Sequence, residues 1–300
     1  MRLSRLVSRA AVDGLYYGSM ARFPSAAPMI ARSVALGLGT FAPGMRRTLE
    51  ENARLALGPE AAERSVRTCA RNVLARMQDA IRNTLLSGER SADDLAAAVH
   101  SFSGQHGYHR VRKGNRGMLV VSIHMGSFEP CLALLRRYEE RVHVLFQSDP
   151  MPRFEAARKA LRASLGVVEH RVDHGLDAWV GLRDALGRGE VVVMHGDRAI
   201  GRFGGSRMPF LGADDAVLPT GPVRLALACG AVIVPTFCFE DEHGLAVRMD
   251  EPIDLAPQVL RGSEVPDHPA QRLLVGSMER AIREHPDQWL AFWRVRGGLR

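Results

Sequence analysis

The sequence predicts an α/β fold: a mixed, mostly parallel central sheet flanked by helices, with a helical N-terminal extension. Three observations predict it. Between Gly117 and Trp293, short β-rich apolar runs alternate with helical stretches, the pattern of a largely parallel sheet covered by helices. From Arg46 to Asn83 apolar residues recur only at helical spacing. No internal repeat, low-complexity tract or linker divides the chain, so one structural unit is expected, with residues 1–90 as a membrane-proximal extension and 91–300 as the α/β domain.

In chain order, Met1 to Arg9 is basic, but Asp13, Arg22 and Arg32 interrupt any apolar run that follows, so no cleaved signal peptide is expected. The uncharged stretch Ser33 to Met45 falls short of the roughly 18 to 20 apolar residues that cross a bilayer. Arg2, Arg5, Arg9, Arg22 and Arg32 alternate with Leu, Val, Tyr, Phe and Met. Two readings stay open: a helix lying on an anionic membrane surface, or an amphipathic helix packed on the protein's own body. Leu49, Ala53 and Leu57, then Val66, Ala70, Val73, Leu74, Met77 and Ile81, read as two helices broken at Gly58-Pro59. Ser91 to Gly104 supplies another short helix.

Strands are expected at Met118–Ile123, Val142–Phe146, Val191–Met194, Val232–Phe237 and Leu245–Met249. The helices between and after them are expected at Glu129–Glu140, Arg153–Leu165, Trp179–Gly187, Gly221–Cys229 and Pro269–Glu284.

The net charge of +7 is carried almost wholly by arginine, since Lys113 and Lys159 are the only lysines. Arginine forks grip phosphate, which suggests nucleic acid, phosphorylated small molecules or anionic headgroups as partners. With 6% aromatics and dispersed basic residues, a stacking platform for nucleic acid is disfavoured. Cys69, Cys131, Cys229 and Cys238 show neither CxxC spacing nor clustering, so neither a disulfide nor a zinc site is expected, and a reducing environment is the simplest inference.

Chemistry in open α/β folds gathers where strands end. This directs attention to Ser122 through Glu129 and to Met194 through Arg198. If His124 closes a strand, Gly126 turns the chain and Ser127 caps a helix, then Glu129 can fold back onto the imidazole as orienter of a general base. A strand-end histidine with a purely structural role is the alternative. Gly126-Ser127-Phe128-Glu129 is not a nucleophile elbow, which disfavours a covalent serine mechanism. Gly201 through Gly205 reads either as a backbone nest for an anion or as a flexible turn. His170, Asp173, His174, His195 and Asp197 lie near strand ends and leave a metal-dependent hydrolase as the competing class, without any HExxH or paired-cysteine pattern.

The ordered set His124-Met-Gly-Ser-Phe-Glu129, Gly189 through Asp197-Arg198, Met208-Pro-Phe-Leu-Gly-Ala, Pro219-Thr-Gly-Pro, Gly230-Ala-Val-Ile-Val-Pro and His285-Pro-Asp-Gln-Trp289 resembles the lysophospholipid acyltransferase superfamily. It is most similar to the lauroyl and myristoyl transferases of lipid A biosynthesis, with their H-x4-E motif, from about Arg46 to the end. The resemblance implies an acyltransferase that moves a fatty acyl group, not an amino-acyl group, from acyl carrier protein or coenzyme A. The acceptor is a hydroxyl or amine of a lipid, glycolipid or polyketide-like molecule. It implies His124 as base and Glu129 as its support, with no cofactor beyond the thioester co-substrate and no metal. Arg171, Asp197 and Arg198 form the implied substrate-binding set, Asp197 as the residue that organises it. The implied location is peripheral, on the cytoplasmic face of the inner membrane. Arg198 in place of a Gln, and Trp293-Arg294 in place of a His-Arg-Arg run, separate the chain from the lipid A enzymes and leave the acceptor open. A non-catalytic lipid-binding protein on the same scaffold is the third reading.

Overall fold

The computed structural model describes residues 12–86, 90–200 and 205–297, and among these only helices precede the first strand. After a π-helical turn at Val12–Tyr17 come α1 (Gly18–Arg22), α2 (Ala27–Phe41), α3 (Pro43–Leu57), α4 (Glu63–Leu86) and α5 (Ala92–Ala97). The break expected at Gly58-Pro59 separates α3 from α4, with Gly58 at φ 94° where a side chain would be strained. Leu49 and Ala53 of α3 bury against Val66, Ala70, Val73 and Leu74 of α4, which is the reason for the periodicity. Ser91 caps α5 through a reciprocal pair with Asp94.

The α/β body follows as β1 (Val99–Ser103), α6 (Gln105–Lys113), β2 (Met118–Ser122), α7 (Phe128–Arg136), β3 (Val142–Phe146), α8 (Pro152–Ser164), β4 (Val168–Arg171), α9 (Leu176–Gly187) and β5 (Val191–His195). It continues with β6 (Gly205–Phe210), β7 (Ala213–Pro219), α10 (Gly221–Cys229), β8 (Val232–Asp241), β9 (Gly244–Met249) and α11 (Pro269–Glu284). Seven strands form one sheet in the order β1-β9-β8-β2-β5-β3-β4, parallel throughout except between β8 and β9, while β6 and β7 make a separate antiparallel hairpin.

Strand alternation sorts the core. Leu119, Val121, Val192, Met194 and Ile233 face α9, α10 and α11, whereas Met118, Val120, Val191, Val193 and Val232 face α6, α7 and α8. Each such side chain contributes about 1.5–3 kcal/mol when fully buried.

All five expected strands are present. Four more, β1, β4, β6 and β7, form where none was expected. β1 and β4 are the two edges of the sheet, half-exposed and polar (Val-His-Ser-Phe-Ser and Val-Glu-His-Arg), so they need no apolar run. The Ser91 to Gly104 segment accordingly divides into α5 and β1, and α6, with a glycine inside it, is a helix that periodicity did not mark.

Candidate active site

β2 and β5 are adjacent and in parallel register, with Ser122 beside His195. Two residues beyond each lie His124 and Asp197, so the register alone brings them side by side at the carboxyl ends of the strands. His124 Nδ1 lies 2.8 Å from Asp197 Oδ1, and the His124 backbone N–H donates to Oδ2 at 3.0 Å. Trp289 Nε1–H donates to the same Oδ2 at 3.0 Å. Asp197 is 0% exposed. Burial alone would raise its pKa, but the charge and hydrogen bonds of His124 outweigh that and lower it to about 2. An ionised Asp197 accepts only, so a proton sits on His124 Nδ1, and in the neutral form of the ring the lone pair is on Nε2.

Gly196 lets the two strand ends close: its N–H donates to Ser122 O at 2.7 Å, and a Cβ there would stand 2.7 Å from Val121. Gly126 turns the chain at φ 60°, where a Cβ would lie 2.5 Å from Cys238 O. The C-terminal tail holds the turn from the other side, with Leu290 N–H donating to His124 O at 2.7 Å. The imidazole of His124 stacks on His195 at 4.1 Å and meets the edge of Trp293 at 5.0 Å, leaving its side chain 32% exposed. Burial, with His124 adding to it, lowers the His195 pKa to about 3, so that ring is neutral.

The sequence expectations meet this geometry unevenly. His124 lies two residues past the end of β2, close to its expected place, but the carboxylate bonded to its ring is Asp197, not Glu129. The correction has a simple cause: adjacent strands in register deliver Asp197 to Nδ1, while Glu129 sits in the first turn of α7, half-buried, and engages no described group. Asp197, expected in the substrate-binding set, is instead fully buried behind His124. Ser127 occupies the N-cap position of α7 but makes no cap hydrogen bond, so its hydroxyl is uncommitted. Arg198 is exposed with its guanidinium 5.2 Å above the Trp293 ring, at the mouth of the site. Arg171 ends β4, three strand positions from β2, and pairs with Asp173 at 2.6 Å. At about 4.8 Å per strand it is on the same edge of the sheet without touching His124.

The residues of the metal alternative do not converge. His195 faces α7 alongside Val191 and Val193, while His170 faces α9, bonded at 2.9 Å to His143, which in turn contacts Glu190 at 2.8 Å. Among the described residues no group of three or more His, Cys, Asp or Glu is arranged to hold a metal ion. Gly201 to Gly204, and Arg2, Arg5 and Arg9, lie outside the described residues.

Two cavities flank the His124 turn. One, beneath α7, is apolar and lined by Phe102, Val120, Ser122, Phe128, Leu132 and Val193 among others. Val193 stands two residues before His195 on the same face of β5, so this cavity runs down the sheet from the stacked rings. Cys131 and Cys238, 107 positions apart, meet in its wall as a disulfide pair. That corrects the expectation of no disulfide, which rested on spacing along the chain and could not register a meeting of α7 with β8. The other cavity is polar, with a volume of about 240 Å³, and lies between α4, Gly126-Ser127 and Leu290.

Trp289 and Trp293 had entered through the resemblance, in His285-Pro-Asp-Gln-Trp289 and Trp293-Arg294, but residue chemistry alone gave neither a role at the site. The family model described as bacterial lipid A biosynthesis acyltransferase matches residues 17–295. No curated protein matches the chain.

Proposed function

We infer the reaction from one premise: the chain belongs to the bacterial lipid A biosynthesis acyltransferase family and is an enzyme that transfers acyl groups to lipid-like acceptors. In the reading proposed here, His124 Nε2 takes the proton from an acceptor hydroxyl as its oxygen attacks the carbonyl of an acyl thioester, carried by acyl carrier protein or coenzyme A. The C–S bond breaks, the leaving thiolate takes the proton back from the imidazolium, and the products are an ester and a free thiol. Asp197 holds the tautomer and supports the transient positive charge. Trp289 fixes Asp197 in turn. Glu129 stays in the proposal as an uncommitted carboxylate facing substrate rather than imidazole, and Arg198 and Arg171 as arginines for donor or acceptor phosphates. The apolar cavity beneath α7, about 40 Å³ as it stands, marks the side on which the acyl chain enters and has to widen to take it.

Membrane contact is peripheral in this reading. No helix among the described residues is long and apolar enough to cross a membrane. Leu15, Phe23, Met29 and Leu36 are exposed along the N-terminal helices, with Arg22 and Arg32 exposed beside them. Apolar side chains flanked by arginines suit an anionic bilayer surface, and we place it on the cytoplasmic face, with residues 1–90 as the membrane-proximal part of a single unit.

The observation that carries the proposal is a half-exposed imidazole whose one nitrogen is tied to a buried, ionised carboxylate while the other meets no described group. The test is thiol release from acyl thioesters in the presence of a lipid acceptor panel, with mass spectrometry of the lipids. His124→Ala must stay folded and lose transfer, and full activity in that variant overturns the reading.

A further inference from the structure

The polar cavity lies outside the machinery described so far, yet its floor is the turn that carries His124, formed there by Gly126 and Ser127. Its opposite wall is one face of α4, where Arg76, Asp79 and Arg82 sit at helical spacing, and Glu240 closes the side. Both guanidinium groups already have carboxylate partners. Arg76 is 2.8 Å from Glu240 and 3.6 Å from Asp287, and Arg82 is 2.7 Å from Asp79. An incoming phosphate would gain two guanidinium groups already neutralised and meet two carboxylates, each 50% exposed. A hydroxyl group meets no such conflict, because it donates to a carboxylate and accepts from a guanidinium at once. The Ser127 hydroxyl, which makes no cap bond, adds a further partner from the turn that follows His124.

We propose that this cavity is the acceptor's headgroup subsite, and that it takes a neutral, polyhydroxylated group, glycosyl or glycerol-like, rather than a phosphorylated one. The proposal deepens the acyl-transfer reading and rests on it for its purpose. The cavity holds the headgroup so that one hydroxyl reaches His124, while Asp79, Arg82 and Ser127 bind the others.

Binding is tested on the full-length protein without any acyl donor, by saturation-transfer NMR and titration. The probes are octyl β-glucoside and a glycerol monoalkyl ether, each below its critical micelle concentration, and inorganic phosphate. Saturation is expected at the hydroxyl-bearing carbons of the glucoside, the glycerol ether or both, and the split between them names the source. Asp79→Asn with Arg82→Gln is expected to weaken that binding about tenfold, as lost hydrogen bonds to charged groups do. Ser127→Ala, whose hydroxyl no described group needs, is expected to weaken it about threefold and serves if the double variant fails to fold. Binding of neither neutral probe, competition by phosphate, or affinities unmoved in the variants would overturn the proposal. Because no thioester is present, a protein that binds glucoside but never turns over refutes acyl transfer and not the cavity, and one that turns over without binding refutes only the cavity.

Discussion

Two histidine pairs sit on opposite faces of this sheet, and each is attached to a carboxylate. His124 stacks on His195 and is held by Asp197, while His143 bonds to His170 and is held by Glu190. The residue types are the same and the chemistry is not. Both ring nitrogens of His143 are engaged and its side chain is 5% exposed, so it has no lone pair to offer a substrate. His124 has one nitrogen engaged and a 32% exposed side chain at the carboxyl end of its strand. The comparison teaches that a histidine near a carboxylate is informative only once the second nitrogen is accounted for.

The largest effect expected from breaking the comparison is at the free nitrogen. His124→Ala should lower kcat for acyl transfer by about 10³-fold, within the range general bases supply. His143→Ala should leave the rate within about twofold, because nothing at that pair reaches substrate. Comparable losses in the two variants would mean that the imidazoles were wrongly sorted. Next comes the orienter. Asp197→Asn removes the carboxylate that fixes the His124 tautomer, and kcat should fall by about 10²-fold with KM for the thioester little changed. Glu129→Gln should affect KM for the acceptor as well as kcat, since Glu129 does not touch the ring. A tautomer defect that appears instead in the Glu129 variant would restore Glu129 as orienter and displace Asp197.

At the second pair the currency is stability rather than rate. His143→Phe removes both hydrogen bonds and leaves His170 without its partner in a half-buried site. A loss of about 1–3 kcal/mol is expected, measured by denaturant titration with activity unchanged at permissive temperature. An unchanged midpoint would show that water replaces both contacts at no cost.

These contrasts also explain what was legible beforehand. The central strands announced themselves because both faces are covered and every residue is apolar, as in Val191-Val-Val-Met. Edge strands such as β4 announced nothing, since one side faces water. His124 was found from its place at the end of an apolar run. Its partner was misjudged because Glu129 is near in sequence, whereas Asp197 is 73 positions away and reaches Nδ1 only through the β2–β5 register. The bond from Trp289 to Asp197 and the Cys131–Cys238 pair were hidden for the same reason: each acts across a separation that no local spacing encodes. The uncommitted Ser127 hydroxyl was misread in the other direction, its cap position being right and its cap bond absent.

The smallest effect is the pH dependence of stability, and it tests whether His195 is as deeply placed as the stacking implies. Burial, with the charge of His124 added, lowers its folded pKa to about 3, against about 6.5 in the unfolded chain. Below that unfolded value the unfolded state binds a proton that the folded state refuses, so stability is full above it and is lost progressively as pH falls towards 3. Asp197 works in a lower window: its folded value of about 2 lies below the unfolded carboxylate range, so its contribution is present above about 4 and is lost only beneath that. Between pH 6.5 and 5 the loss therefore belongs to histidines, at up to roughly 1 kcal/mol per pH unit for His195. His143 and His170, both lowered chiefly by burial, add to it in the same direction. His195→Leu keeps an apolar body under His124 and removes the proton site. Its thermal midpoint should fall by about 2–4 °C less than that of the unaltered protein over this interval, read by circular dichroism at matched ionic strength. Equal falls would mean that the His195 ring takes up its proton in the folded state, and the stack would then set a charge, rather than an apolar seat, beneath the base.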